Sequence, residues 1–216
     1  MTTRLFAPVL VALTACTAPG TATPASATPP PGASSSTASA STASASTASS
    51  TASATSAPAK PCTGAEFRQF DFWIGDWDLV VRARSAPTSD QWGEAKGHQH
   101  VESILAGCVI AEHFTAEGPG TPWSGASYSS WQPKLGAWRQ TWVDDSGGYL
   151  AFRGSVEHGA MTLYGEPRDV GGKRVQMRMV FQDVTASSLH WEWQRSDDDW
   201  ATAAPMITID YRRSAR

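Results

Sequence analysis

The sequence has no apolar stretch long enough to cross a bilayer as a helix. Its run Leu5–Leu13 is far shorter than the roughly 18 residues that a spanning helix needs. With Arg4 before it and Thr14-Ala15 after it, the run is typical of a cleaved export signal. We therefore predict that residues 1–15 form a signal peptide and that the protein is exported.

The segment that follows has almost no charge and no large apolar side chain. Between residues 17 and 60 the sequence consists of Ala, Ser, Thr, Pro and Gly, apart from Lys60. Such a composition cannot bury enough apolar surface to offset the entropy lost on ordering. Residues 16–61 are therefore predicted to be a disordered tether, and residues 62–216 to be a single domain of ordinary size.

Cysteine is scarce, with three residues in the whole chain. The stretch LTAC at 13–16 resembles a bacterial lipobox, which would make Cys16 the lipidated first residue; the alternative is an ordinary signal peptide with a chance cysteine. No aspartate follows Cys16 directly, which under this resemblance indicates the outer membrane, facing the periplasm. In that oxidising compartment Cys62 and Cys108 are predicted to form a disulfide, and two buried free thiols are the alternative.

The domain also lacks the features of nucleic-acid-binding proteins and of common enzymes. After residue 61 there are 15 basic and 20 acidic residues, a net charge near −5 without a basic stripe, so no nucleic-acid partner is predicted. The sequence has no phosphate-binding loop, no dinucleotide fingerprint and no paired Cys and His nucleophile. Residues 125–129, GASYS, lack the second glycine of a nucleophile elbow. No catalytic residue and no cofactor is predicted.

What the domain does contain is a period of two in its apolar residues, which is typical of strands. Trp77, Leu79 and Val81, for example, alternate with Asp78 and Arg82. About ten short strands in succession predict an all-β, antiparallel up-and-down barrel of the lipocalin or calycin type, which closes on itself and leaves no free edge. The predicted strands are 76–84, 97–105, 108–116, 124–131, 137–144, 149–156, 160–167, 173–183, 188–195 and 205–213.

A short helix is predicted before the first strand. Phe67, Phe70 and Ile74 lie at helical spacing and form one apolar face, and Gly75 ends the pattern. Thr63 and Glu66 have the spacing of a capping box at the start of this helix. We expect this helix to plug one end of the barrel.

The hairpin at Ala106-Gly107 indicates which residues face the lumen. A two-residue turn there pairs residues whose numbers sum to 213. The more apolar of the two faces should point inward, and it carries Val101, Ser103, Leu105, Cys108, Ile110, Glu112 and Phe114. Burying a bare carboxylate at Glu112 costs several kcal/mol unless it is paired or protonated, which makes Glu112 a candidate site residue. A purely structural acid, held by a nearby donor, is the alternative.

The opposite face of this hairpin collects three histidines, His98, His100 and His113. They are predicted to lie close together on the outside of the barrel. Because the sequence indicates neither a fourth ligand nor an enclosure, no metal site is predicted. Haem held by a lumenal histidine is not predicted either, because His190 alternates with the apolar row of its own strand.

A second hairpin leaves its orientation open. If its turn runs over 145–148, the row Trp138, Gln140 and Trp142 shares a face with Ala151, Arg153 and Ser155. Facing inward, the row would form an aromatic box with polar groups, which is typical of a small-molecule site. Facing outward, it would form a belt that contacts a partner or a membrane surface.

Four motifs of the domain resemble a bacterial lipocalin-like family, the domain of unknown function 1579. They are FDFWIGDWDL at 70–79, GC-x-I-x-E at 107–112, W-x-Q-x-W-V-D at 138–144 and WEWQRSDDDW at 191–200. The resemblance spans nearly all of 62–216 and implies a calycin-type barrel whose N-terminal segment closes one end. The family tends to carry an Asp-Gly-Gly-x-Thr-Trp turn late in the chain, where this sequence has DDDW at 197–200, so no role is carried over for that turn.

Together these observations predict a lipid-anchored protein of the bacterial cell envelope whose barrel binds a small, partly apolar ligand. The predicted ligand-binding residues are Trp77, Glu112, Gln140, Trp142, Met177 and Trp193, the last two because they lie in apolar rows that should line the lumen. One alternative is an enzyme that uses Glu112 as an acid or base in the same cavity. The other is a filled barrel that serves as a structural or interaction module.

Overall fold

The structure is a computed structural model that describes residues 62–118 and 122–215. The predicted signal peptide 1–15, the predicted lipidation site Cys16 and the predicted tether 16–61 lie outside the described residues, so all three stay predictions. None of the helices in the described part of the chain has the length and apolar character that crossing a membrane requires.

Ten strands form a closed antiparallel barrel around one core. With one further strand outside the ring, the described residues form eleven strands: β1 (Gly75–Arg84), β2 (Trp92–Ile104), β3 (Val109–Glu117), β4 (Trp123–Gln132), β5 (Ala137–Asp144), β6 (Tyr149–Glu157), β7 (Ala160–Gly165), β8 (Arg168–Val170), β9 (Lys173–Gln182), β10 (Ser188–Ser196) and β11 (Ala204–Arg213). Strand β11 pairs back onto β1, and β7 pairs with β9, so that β8 lies outside the ring as a partner of β9. The predicted all-β up-and-down barrel is confirmed.

The predicted strand boundaries lie within two residues of the observed ones except at β2 and β8. Strand β2 begins at Trp92 and not at residue 97. The prediction missed its first residues because Gly93 and Gly97 interrupt the period of two in the sequence. A Cβ at Gly97 would lie 2.7 Å from the backbone oxygen of Thr115, so glycine is required there by its neighbour. Strand β8 was not predicted, because its three residues are all exposed and carry no burial pattern.

The β2–β3 hairpin has the predicted register. Val101 pairs with Glu112, so that paired residue numbers sum to 213. The turn itself differs from the prediction, since a 3-10 helix at Leu105–Gly107 connects the strands. The prediction that Ser103 and Leu105 face the lumen is wrong: both are exposed, because this end of the hairpin projects beyond the core.

The register of the β5–β6 hairpin is one residue away from the prediction. Trp142 pairs with Leu150, and the inward row continues with Phe152 and Gly154 in place of the predicted Ala151, Arg153 and Ser155. The cause is the Asp144 carboxylate, which accepts hydrogen bonds from the backbone N–H groups of Ser146 (3.0 Å) and Gly148 (2.9 Å). These bonds stabilise a five-residue loop over 144–148, and the extra residue shifts the pairing.

This hairpin turns its tryptophan row toward the lumen. Trp138 and Gln140 are 1 % and 3 % exposed, whereas Arg139 on the other face is exposed. The inward alternative for this row is therefore the correct one. Arg153, which the predicted register placed in the same row, is exposed and donates to the backbone oxygen of Leu135.

Two short 3-10 helices, Ala65–Arg68 and Asp71–Trp73, form the predicted plug. The Phe70 side chain is 0 % exposed, and its ring centroid lies 4.8 Å from that of Trp138 and 5.4 Å from that of Phe181. The plug therefore closes one end of the barrel by packing against rings from β5 and β9.

The details of the plug differ from the predicted single helix. No side chain caps the first 3-10 helix, so the capping box of Thr63 and Glu66 is wrong. Trp73, 1 % exposed, is buried beside Phe70, whereas Phe67 and Ile74 are half-buried. A 3-10 helix has 3.0 residues per turn, so positions three apart share a face, and Trp73 falls under Phe70.

A disulfide and an arginine hold the start of the plug against the β2–β3 hairpin. Cys62 and Cys108 are bonded with a Cα–Cα distance of 5.1 Å, which confirms the predicted pairing. Arg68 donates to the backbone oxygen of Gly107 at 2.6 Å. The plug is therefore fixed to the barrel at its beginning.

A second arginine holds the end of the plug. Arg213, at the end of β11, donates to the backbone oxygens of Phe72 and Ile74, and its guanidinium lies 3.7 Å from the ring centroid of Trp77. Burial lowers the pKa of Arg213. The guanidinium thus supplies the hydrogen bonds that these two backbone oxygens of the plug need.

Candidate functional site

Half-buried apolar side chains lie at both ends of the barrel. At the plug end they are Phe72, Ile74, Trp131 and Trp191, beside the almost fully buried Trp138 and Phe181. At the other end, apolar side chains that pack on the core are only half-buried, and we call these residues the mouth: Ala95, Trp123, Trp142, Leu150, Met177 and Ile207. A molecule that enters the lumen at this end therefore first contacts the apolar side chains of the mouth, some of which are aromatic.

Three aromatic rings form one side of the mouth and its inner wall. The centroid of Phe114 lies 5.0 Å from that of Trp123 and 5.8 Å from that of Trp142. The Trp142 indole donates to the Asp144 carboxylate at 3.0 Å. A Cβ at Gly125 would lie 2.2 Å from the Trp142 ring, so this ring position requires glycine on β4. The rings are held in place by packing and by one hydrogen bond.

Glu112 lies deeper in the lumen and is 6 % exposed. Its carboxyl accepts a short hydrogen bond from the Ser127 hydroxyl on β4. Burial raises the pKa of the Glu112 carboxyl to about 7, against the opposing effect of that hydrogen bond. Near neutral pH Glu112 therefore exists in both protonation states and can donate as well as accept.

Two further polar pairs lie in the lumen. The Gln140 amide nitrogen donates to the Ser129 hydroxyl at 2.9 Å, and the Tyr211 hydroxyl donates to the Gln99 side-chain oxygen at 3.1 Å. All four residues are at most 3 % exposed. The lumen is thus apolar at both ends and polar between them.

The six predicted ligand-binding residues all point into the lumen, but at different depths. Trp142 and Met177 belong to the mouth, and Trp193, 9 % exposed, packs edge-on against Phe152. Glu112 and Gln140 belong to the polar middle. Trp77 is 0 % exposed and donates from its indole to the backbone oxygen of Trp73 at 2.7 Å, so it lies against the plug. Ligand contact by any of them stays a prediction.

Sequence reasoning missed Gln99, Ser127, Ser129 and Tyr211. The register that sums to 213 pairs Gln99 with Phe114, so extending the inward row of β2 by one step would have found it. Ser127 and Ser129 lie in one row of β4 between Trp123 and Trp131, and these two flanking indoles are the signal that could have placed the row inward. Tyr211 looks like an ordinary core residue.

All five histidines lie outside the lumen. His98 and His100 are bound to Asp78 and Asp76 across β1 and β2, at 3.0 Å and 2.6 Å. His190 binds Asp210 at 2.7 Å on the outer face. In residues 62–118 and 122–215 no group of His, Cys, Asp and Glu is arranged to hold a metal ion, and the lumen offers no imidazole to a haem iron.

Two open hollows, each of about 380 Å³, lie on the outer surface of β3, β4 and β5. Outward-facing residues such as His113, Ala126 and Val143 line the first, and Tyr128 and Arg139 line the second. Phe114 also borders the first hollow and Gln140 the second.

Several solved structures are similar to this chain. Rv2717c from M. tuberculosis has 13 % identity over 70 % of this chain and 99 % of that chain, with a TM-score of 0.52. The S-type phycobiliprotein lyase CPES from Guillardia theta has 8 % identity over 68 % of this chain and 91 % of that chain, with a TM-score of 0.48. A de novo designed fluorescence-activating β-barrel has 14 % identity over 67 % and 95 %, with a TM-score of 0.37. The first bears on the fold alone.

Sequence comparison gives the family. No curated protein matches the chain. The model of a family described as protein of unknown function, DUF1579, matches residues 63–213, a range that takes in the plug and every strand of the barrel. The chain belongs to the DUF1579 family.

Proposed function

We propose that the protein is a lipoprotein of the bacterial cell envelope, anchored through Cys16, and that its barrel binds a small, partly apolar molecule in the lumen. The observation that carries the binding proposal is the half-buried apolar mouth next to the buried polar groups of the lumen, Glu112 and Gln99. Phe70 and Trp73 fill the opposite end. The anchoring proposal rests on LTAC at 13–16 and on the tether that follows it.

The mouth supplies the apolar part of the proposed binding. Trp123 and Trp142 present ring faces and edges, and aromatic side chains bury a large area with few rotatable bonds. Met177 adds a flexible thioether that adapts to irregular ligand shapes. An apolar molecule placed between these side chains would remove partly exposed surface from water, which is favourable by about 25 cal/mol per Å².

The polar middle supplies orientation. Ligand sites combine apolar walls with a few placed polar groups, and here Glu112 with Ser127 and Gln99 with Tyr211 lie below the aromatic wall. The pKa of Glu112, raised to about 7, is the kind of perturbed value that occurs at functional sites. These groups favour a ligand with a polar end that faces inward.

Removing one mouth ring should release the ligand. In protein purified from its own envelope, native mass spectrometry is expected to show a bound small molecule. Trp142→Ala should weaken its binding by about 2 kcal/mol, roughly 30-fold, because one of the two indole rings of the aromatic wall is lost. The bound mass should then be absent or strongly reduced.

Trp92→Ala is the matched control, since Trp92 is 39 % exposed and its ring lies under Arg84 on the outer surface. It should keep the bound mass at the wild-type level. Wild-type spectra that are repeatedly empty, together with no saturable binding of extracted envelope metabolites, would contradict the proposal and favour a filled structural barrel.

Anchoring has its own test. Cys16→Ala should move the protein from the membrane fraction to the soluble periplasmic fraction, because no acyl chain can be attached, and should abolish incorporation of labelled fatty acid. Cys62→Ala, which removes a cysteine of the disulfide, should leave the fatty-acid label in place. Label that persists in Cys16→Ala would overturn this part of the proposal.

Glu112 supports a second candidate, an enzyme that uses it as a general acid or base. A catalytic acid works best with a pKa near the operating pH, and the pKa of Glu112 is raised to about 7. In that case native mass spectrometry should detect bound, unconverted substrate in Glu112→Gln and bound product in the wild type. An identical bound mass in both proteins favours simple binding.

A further inference from the structure

The Gln99 side chain contains a buried hydrogen-bond donor without an acceptor. Gln99 is 1 % exposed, and its side-chain oxygen accepts the hydrogen of the Tyr211 hydroxyl at 3.1 Å. Its amide nitrogen is buried and has no partner. Leaving such a group unpaired costs free energy, and each one in a native structure calls for an explanation.

The orientation of this amide follows from its neighbour. Burial, and then the negative charge of nearby Glu112, raise the pKa of Tyr211 well above its usual value, so its hydroxyl keeps its hydrogen. Turning the Gln99 amide over would leave its oxygen unpaired and would also leave the Tyr211 hydrogen without its acceptor. The nitrogen is therefore the atom that is free to donate.

The free donor lies next to the inner wall of the mouth. Gln99 pairs with Phe114 in β2 and β3, and directly paired residues on one face have Cβ atoms about 5 Å apart. The Phe114 ring in turn contacts Trp123 and Trp142. A molecule seated against these three rings has its inner end beside the Gln99 amide.

A second buried donor, the indole of Trp73, faces the same region from the plug. Trp73 is 1 % exposed, and its indole nitrogen is buried without a hydrogen bond of ordinary geometry. It lies near the Tyr211 hydroxyl, whose pKa it lowers slightly against the larger effect of burial. The floor of the lumen is thus richer in donors than in acceptors.

The charge of the lumen restricts the ligand further. Glu112 is the one acidic or basic residue among the buried side chains of residues 62–118 and 122–215. The Arg213 guanidinium, at the plug, already binds the backbone oxygens of Phe72 and Ile74. Among the described buried residues an anionic ligand would find no free cation and would meet the Glu112 carboxylate, so a neutral ligand is favoured.

We propose that the lumen recognises a neutral molecule with an aromatic or otherwise apolar body and a hydrogen-bond acceptor, such as a carbonyl oxygen, at its inner end, and that the Gln99 amide nitrogen donates to this acceptor. The proposal rests on lumenal binding, and it adds the chemical class of the ligand and the residue that selects it.

The test uses two probes of equal shape that differ in one acceptor. The first is 2-acetylnaphthalene, and the second is 2-isopropenylnaphthalene, in which a methylene group replaces the carbonyl oxygen. Titration calorimetry on the wild-type protein should show about tenfold tighter binding of the ketone. In Gln99→Leu the two dissociation constants should become equal, because the donor is gone.

Gln132→Leu is the control, since Gln132 lies on the outer face and donates to Ser130, and it should keep the preference for the ketone. Should Gln99→Leu fail to fold, the Gln99 side-chain amide signals of the wild-type protein can be followed by NMR. They should shift on addition of the ketone and remain in place on addition of the hydrocarbon.

The outcomes separate the two proposals. Equal binding of both probes by the wild type, or a ketone preference that persists in Gln99→Leu, would overturn the role of Gln99 and leave lumenal binding intact. Failure of both probes to bind the wild type would overturn lumenal binding for ligands of this class, and the role of Gln99 with it.

Discussion

Replacing Phe70 with alanine is expected to lower the free energy of unfolding by about 4 kcal/mol, the middle of the range for a buried phenylalanine. Phe70 is 0 % exposed, and its ring contacts those of Trp138, Phe181 and Trp73 at centroid distances of 4.8, 5.4 and 5.7 Å. Because these partners come from two strands and from the plug itself, they cannot collapse together to fill the cavity. Urea unfolding with the disulfide intact measures the loss.

Phe67→Ala is the matched control, because Phe67 belongs to the preceding turn of the plug and is only half-buried. It should cost about 1 kcal/mol, in proportion to the smaller area removed from water. Equal losses for the two variants, or a loss below about 1 kcal/mol for Phe70→Ala, would mean that the plug is a loosely attached cover.

Glu112→Gln is expected to make the protein more stable at pH 8 by about 3 kcal/mol, with no gain at pH 4.5. The pKa of Glu112 is raised from 4.5 to about 7 by burial, so the folded state holds a proton that the unfolded state has released. This carboxyl therefore leaves the stability of the wild type unchanged below pH 4.5, the pKa in the unfolded state. It lowers that stability as the pH rises from there through about 7, the pKa in the folded state. Glutamine cannot ionise and still accepts from Ser127.

The quantity to measure is the difference in unfolding free energy between Glu112→Gln and the wild type from pH 4.5 to pH 8, since other groups contribute equally to both. Glu102→Gln is the control: Glu102 is exposed on the outer face of β2, and its replacement should produce a flat difference. A flat difference for Glu112→Gln as well would place that carboxyl in contact with water.

The barrel could be predicted from the sequence because its strands are short, regular and joined in order. The register of β2 and β3 followed from the single assumption of a turn at Ala106-Gly107, and it held even though the turn is a 3-10 helix. A closed ring fixes each strand by two neighbours. An error in one turn therefore does not spread through the fold.

The β5–β6 hairpin shows where such reasoning fails. Its loop is set by the Asp144 side chain, which binds the N–H groups of Ser146 and Gly148. One additional loop residue changes the face on which every side chain of β6 lies. The pattern of tryptophans around Gln140 gave no polarity difference between the two faces, so nothing in the sequence could correct the assumed turn.

The candidate site was predictable only where an ionisable residue interrupted an apolar row. Glu112 stood out for this reason, and the structure places it in the lumen. Gln99 and Ser127 are neutral, and neutral polar residues occur on exposed and buried faces alike. Their importance depends on which partners they have and lack, and such partners come from strands distant in sequence.

The motif FDFWIGDWDL at 70–79 spans the end of the plug and the start of β1. Most of the motif serves the plug and its attachment: Phe70 and Trp73 fill the end of the barrel, and Trp77 donates to the Trp73 backbone oxygen. The ring of Trp77 is also covered by the Arg213 guanidinium. The aromatic residues best placed to meet a ligand are instead Trp123 and Trp142 at the mouth.

The central claim is that ligands enter the lumen through the mouth, opposite the plug. NMR spectra of the indole N–H groups during titration with 2-acetylnaphthalene test it directly. We expect saturable shifts of the Trp123 and Trp142 indole signals, with those of Trp92 and Trp200, outside the lumen, unchanged. Shifts confined to Trp92 and Trp200, or unsaturable changes spread over all tryptophans, would contradict it.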